Sequence, residues 1–195
     1  TQAEAALVEA KIAALKAKLE AAKAKLVAKA DTAELSAAKA DLDTKAKEVV
    51  PTEGKTKATV DAYNEAKTAA AKAVADAEAV INDENVTDKA VANALAEVKA
   101  KKAALEAAKA ALVDKVTEAQ KTALGNAGTD LAVLGDAELA GKTKATADAY
   151  KAETGNLTEE IAAAKREAEA ILADPENKTQ AEAALVEAKI AALKA

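Results

Sequence analysis

Apolar side chains recur at alternating steps of four and three along the opening of the chain, at Val8, Ile12, Leu15, Leu19, Ala22 and Leu26, with Lys and Glu filling the intervals. That spacing puts them on one stripe of an α-helix, the seam by which a helix packs on other helices. The stripe predicts a first helix of about 28 residues, rising roughly 42 Å. The register then slips. Leu35, Leu42 and Val49 share a seven-residue spacing that leaves out Leu26, and at the slip stands "DTAE", Asp31 to Glu34. Such a capping-box pattern predicts the start of a second helix. Pro51 closes that helix, because the residue before a proline is pushed out of the helical region. A third helix is predicted from Lys55 to Ile81.

The pattern then repeats. "LEAAKAKLV" at 19–27 returns as "LEAAKAALV" at 105–113, and "GKTKATVDAY" at 54–63 as "GKTKATADAY" at 141–150. The first helix has its counterpart in Val91, Val98, Leu105 and Leu112, and the second helix's start in "TEAQ", Thr117 to Gln120. A third helix follows from Lys142 to Leu172, with about four extra residues around "TGNL" (154–157) that allow an added turn or a kink. Between them lies "GNAGTDLAVLGDAELAG" (125–141), which holds four of the six glycines. Each glycine costs about 1 kcal/mol inside a helix, so this second helix is expected to be shorter or broken.

A younger duplication overlies the older one. "TQAEAALVEAKIAALKA" occupies residues 1–17 and returns unchanged at 179–195. Helix surfaces tolerate many substitutions within about ±0.5 kcal/mol, so identity on this scale reflects recent gene duplication rather than selection on the fold. Thr1, Thr87 and Thr179 open three successive units. They divide the chain into a three-helix repeat at 1–86, a second at 87–178, and at 179–195 the first helix of a following repeat. The units are joined by "NDENVT" (82–87) and "ADPENKT" (173–179), each ending in a Thr that can cap the next helix. "TQAE" forms a further capping box, and Val86 with Val91 is spaced as a hydrophobic staple. An odd number of antiparallel helices puts the two chain ends of a unit at opposite ends of it. The expected architecture is therefore all-α: tandem antiparallel three-helix bundles stacked end to end as an elongated rod.

Composition agrees with helix. Ala alone accounts for 61 of the 195 residues, and Ala, Glu, Lys, Leu and Arg together for 127, past the level that marks long helices. Leu, Ile, Val and Phe total only 36. The core is expected to be thin, since a buried methyl contributes on the order of 1 kcal/mol against about 2–3 for a buried Leu. No run of 18 apolar residues occurs, and no basic-apolar signal segment opens the chain. Neither membrane insertion nor targeting is expected within the segment.

Candidate chemistry is sparse. The chain has no Cys, His, Met, Trp or Phe, one Ser (Ser36) and one Arg (Arg166). A nucleophile needs a base beside it, so Ser36 reads as a helix-surface residue. Gly141-Lys142-Thr143 and Gly54-Lys55-Thr56 imitate the end of a phosphate loop without its upstream glycine. "NDENVTD" (82–88) clusters oxygens but lacks the Gly and Glu of an EF-hand. The Lys run "KAKK" (99–102) sits in an acidic chain of net charge −5 whose only aromatic residues are Tyr63 and Tyr150, which argues against nucleic acid. The two tyrosines read as core filling, with partner anchoring as the alternative. No residue is assigned a catalytic, cofactor-binding or metal-ligating role, and an enzyme is the least expected class.

The string from Asp174, "DPENKTQAEAAL", followed by Ala-Leu, resembles the FIVAR-type helical repeats of Gram-positive cell-wall surface proteins. "DENVTDKAVANALAEVKAKKAAL" (83–105) is a looser match, with Ala90 in place of the acidic partner of the capping box. The resemblance covers the junctions and first helices, and it transfers no binding residue. It implies an extracellular stalk or spacer in a repetitive adhesin, anchored through its parent to a bacterial cell wall, with neighbouring repeats as its partners. The alternative it implies is a helical module that binds a host serum or extracellular-matrix protein.

Overall fold

In a computed structural model of the chain, the backbone of residues 1–131, 139 and 141–194 is described. Seven α-helices occur among these residues: α1 (Gln2–Lys23), α2 (Ala33–Lys47), α3 (Lys57–Asn82), α4 (Asp88–Ala110), α5 (Glu118–Asp130), α6 (Lys144–Ala173) and α7 (Gln180–Lys194). The all-α class expected from periodicity is what the structure has.

Helix starts follow the caps read in the sequence, with one exception. Thr1, Thr117 and Thr179 each accept from the N3 amide while the N3 Glu or Gln reaches back to the cap residue. Thr87 accepts from Ala90 N at 3.3 Å but receives nothing in return, because Ala90 has no side-chain acceptor. At "DTAE" the box does not form. Asp31 Oδ1 instead accepts from Ala33 N at 2.9 Å, and Thr32 caps without a side-chain bond. An aspartate two residues before an amide makes this local turn readily, in competition with the box.

The helices pack as two triplets, α2–α3–α4 and α5–α6–α7. In the first, Lys99, Lys102 and Lys109 of α4 pair with Glu34, Asp41 and Glu48 in and beside α2, advancing along both helices in the same direction. α3 returns between them, tied to α2 by Lys39–Glu78. The core holds Leu35 and Leu42 of α2, Tyr63, Ala70, Ala73 and Ala77 of α3, and Val91, Val98 and Leu105 of α4. Alanines at 70, 73 and 77 leave room for neighbouring helices to approach, and the bulky residues of α2 and α4 fill the space they leave. In the second triplet Leu124, Ala127 and Leu131 meet Ala164, Ala168 and Ile171 of α6 and Ala183, Val186 and Ile190 of α7.

This packing frame differs from the expected one. Boundaries at 1–86, 87–178 and 179–195 would pack α1 with α2 and α3, and would leave residues 179–195 without partners. The reverse is seen. α4, placed by the repeat at the head of the second unit, packs on the α2–α3 hairpin that precedes it, and α7 does the same on α5–α6. α1 buries no residue. Its Val8 and Ile12 are 54% and 47% exposed, whereas the identical Val186 and Ile190 of α7 are 6% and 4% exposed. The 83–87 and 174–179 turns fold each first helix back onto the hairpin before it, whereas the linker after α4 leads α5 into the other triplet. The nine residues from Ala24 to Thr32 likewise carry α1 away from α2. A tight helix–helix connection favours an antiparallel pair.

Two smaller expectations also change. The first helix has 22 or 23 residues rather than about 28, so Leu26 and Val27 lie beyond its end and are 79% and 92% exposed. The extra residues around 154–157 lie inside a helix that is uninterrupted. α6 runs unbroken for 30 residues against 26 in α3, one added turn. α5, with 13 residues, is shorter than the 15 of α2, and the glycine-rich expectation for 132–138 falls outside the described residues.

Burial separates two apolar positions that look alike in sequence. Replacing Leu42, fully buried, by Ala is expected to destabilise the first triplet by about 2–5 kcal/mol in chemical denaturation. Val8→Ala, on an exposed stripe, is expected to fall within about ±0.5 kcal/mol in the same measurement.

Candidate functional site

Where the two triplets meet, three irregular segments lie side by side: the turn before α3, the linker between α4 and α5, and the turn between α6 and α7. Antiparallel bridges pair Lys55 with Asp114 and Lys115 with Thr179. Thr56 N donates to Val113 O and Lys115 N to Gly54 O, both at 2.8 Å. On the other edge of the linker Val116 N donates to Lys178 O at 2.9 Å, and Gln180 N to Asp114 O at 3.2 Å. The linker thus satisfies backbone groups on both sides, as a central strand does. Val116, 2% exposed, anchors it in the second core.

Gly54 makes the approach possible. Its φ of +75° lies in the left-handed region, which costs L side chains about 1 kcal/mol or more and glycine little. Gly141, at the same place in the repeat, has φ +80°. These are the glycines of the two Gly-Lys-Thr strings, and their role is to shape a turn at the start of a helix.

Across the joint one triplet caps a helix of the other. Thr56, at the N-cap of α3, makes no side-chain cap bond. The first-turn amides of Lys57 and Ala58 donate instead to Glu176 O at 2.8 Å and Asn177 Oδ1 at 3.2 Å. Asn177 is held for this by its own amide nitrogen, which donates to the Asp174 carboxylate at 3.1 and 3.2 Å. At the equivalent start of α6, Thr143 accepts from Thr146 N and so caps its own helix. Residues that use a local cap in one setting thus yield to a cap from a neighbour in the other.

Charge reinforces the joint. Lys55 Nζ lies 2.7 Å from Asp114 Oδ1 and Lys115 Nζ 2.6 Å from Glu176 Oε2. The Lys115 ammonium holds the Glu176 carboxyl below its usual range. Exposed pairs of this kind contribute about 0–1 kcal/mol each, so they set register more than strength. Glu182 is likewise lowered, chiefly by the Thr179 backbone amide of the capping box.

The remaining candidates resolve into structural roles. Ser36 is half-buried in the first turn of α2. Lys99, Lys101 and Lys102 of the basic run pair with Glu34, Glu97 and Asp41. In the 82–88 turn, Asp83 Oδ1 accepts from Asn85 N at 2.8 Å, and no group of three potential metal ligands occurs among the described residues. Tyr63 is 3% exposed and belongs to the first core, while Tyr150 is half-buried. A shallow open hollow beside Tyr63, about 280 Å³, is lined by Lys45, Glu48, Leu105 and Lys109. No helix among the described residues is long and apolar enough to cross a membrane.

Comparison of the chain with protein-family models, curated proteins and solved structures gives no match. The joint was not foreseen in the sequence beyond its capping threonines. The signal that marks it is the recurrence of Gly-Lys-Thr ahead of the third helix together with Leu-Val-x-Lys after the first.

The cap supplied across the joint has a measurable value. Asn177→Ala removes the acceptor for Ala58 N and is expected to lower the stability of the α2–α3–α4 triplet by about 1 kcal/mol, the usual cost of losing a cap side chain. The equilibrium denaturation midpoint of that triplet, reported by a probe near Tyr63, checks it.

Proposed function

We propose that the chain is a structural spacer: a stalk segment of a repetitive bacterial cell-surface adhesin that carries a distal binding domain away from the cell wall. The observation that carries this reading is the joint. A linker bonded on both edges, with one triplet capping a helix of the next, is how a tandem array is made to resist bending. A flexible linker would serve a pair of independent binding modules equally well. Duplication of a 178-residue unit lengthens such an array without new chemistry, and the sequence has neither Cys nor His. The FIVAR-type resemblance of the junction strings supports the extracellular placement and the adhesin context.

α3 and α6, with 26 and 30 residues, rise about 39 and 45 Å. End-to-end triplets are therefore expected to give a maximum dimension of about 90 Å or more by small-angle scattering. A radius of gyration near 16 Å, that of a compact domain of this length, would contradict the spacer. A pull-down from serum and matrix extracts separates spacer from binding module: the spacer recovers no host protein, and specific capture of one favours the module.

A further inference from the structure

The seventeen residues shared by α1 and α7 sit in opposite surroundings, and the difference follows one face. Ala183, Val186 and Ile190 of α7 are buried against α5 and α6. Their counterparts on α1 are Ala5, Val8 and Ile12, none of them buried. Leu185 and its counterpart Leu7 are exposed in both places, at 73% and 57%. The face that α7 buries is therefore uncovered on α1, which is exposed on every side. Leu15 and Leu19 extend it, each 65% exposed.

The linker after α1 carries a second mark of the same kind. Ala30 N donates to Val86 O at 3.5 Å, as Val116 N donates to Lys178 O. Val86 and Lys178 each stand immediately before a capping Thr, so this linker makes, at longer range, one of the two bonds that the joint makes on that edge. Among the described residues the other edge makes none. Val27 occupies the place of Val113, whose carbonyl accepts from Thr56 N, and Val27 is 92% exposed. The turn shape that would meet it exists at Gly141-Lys142-Thr143, which repeats the left-handed glycine of the Gly54 turn.

We propose that α1 is the third helix of a bundle completed by a two-helix hairpin of the α5–α6 kind, joined to Thr1 through a turn like 174–178. The hairpin's apolar face, patterned as Leu124, Ala127, Ala164, Ala168 and Ile171, covers Ala5, Val8 and Ile12. Its Gly-Lys-Thr turn bonds the free edge of the linker at Val27. A second copy of the chain is not the occupant, because its own α5–α6 hairpin is filled by α7. The tether gives α7 an effective concentration in the millimolar range, which a free α1 at micromolar concentration does not match. This inference rests on the tandem-array part of the spacer reading and not on its location or on the absence of a host ligand.

The test extends the full chain by a copy of residues 112–178 placed ahead of Thr1, so that Lys178-Thr1 reproduces the Lys178-Thr179 junction. In the extended protein, amide exchange of residues 5–15 is expected to slow to the level of residues 183–193. Val8→Lys with Ile12→Lys is expected to restore fast exchange at 5–15 while leaving α2–α4 unchanged. The added hairpin is known to pack against this sequence in α7, so unchanged fast exchange at 5–15 in the extended chain overturns the proposal. Protection at 5–15 that rises with concentration in the original chain, together with dimer formation, assigns the stripe to a second copy and also overturns it. A compact scattering profile of the original chain, or capture of a serum protein, bears on the spacer reading alone.

Discussion

An alanine-rich helix of 15–30 residues gains most of its stability when a stripe of larger side chains finds two other helices to cover it, and the rest of this protein's architecture follows from that gain. Helix nucleation is costly and isolated helices of such length are marginal in water. Alanine favours the helical backbone but offers little to bury. The larger residues are correspondingly few and closely placed: Leu35 and Leu42 on one helix, Val91, Val98 and Leu105 on another, facing Ala70, Ala73 and Ala77 on the third. Each buried Val or Leu contributes about 1.5–3 kcal/mol, so an uncovered stripe such as that of α1 leaves several kcal/mol unrealised.

The same need explains the joint. Triplets with thin cores gain by sharing backbone groups at their ends, and the linker between α4 and α5 is bonded on both edges by turns from the two triplets. The cap that Asn177 and Glu176 supply to α3 makes the first turn of one triplet depend on the presence of the next. Stability in an array of this kind is a sum of unit and interface contributions. A terminal unit therefore has a weaker end wherever its neighbour's turn is missing.

Much of this was legible in the sequence. The seven-residue spacing of Leu35 and Leu42, and of Val91, Val98 and Leu105, marks buried residues, because heptad spacing and helical packing are the same geometry, whereas Val49, the next in the first series, lies beyond the end of α2 and is 90% exposed. Thr87, Thr117 and Thr179 mark helix starts, because hydroxyl caps satisfy the first free amides. What the letters did not carry is the phase of the packing. A periodic chain of helices can be cut into triplets at any of three connections, and an unbroken repeat beginning at Thr1 suggests the wrong one. Length alone does not discriminate, since nine residues join α2 to α3, which pack, just as nine join α1 to α2, which do not; what differs is that the linker after a first helix spends its backbone groups on bonds to neighbouring turns. The cross-joint cap was hidden for a related reason, since Asn177, 119 positions from the Ala58 amide it accepts from, replaces a cap that Thr56 would otherwise supply locally.

The central claim is that each first helix belongs to the hairpin before it. Hydrogen exchange on the chain as it stands, in dilute solution, tests it with the protein as its own control, because residues 5–15 and 183–193 are chemically identical. The packing described here predicts slow exchange at 183–193 and exchange near the rate of an unprotected helix at 5–15. Equal protection of the two, or stronger protection at 5–15, would contradict it.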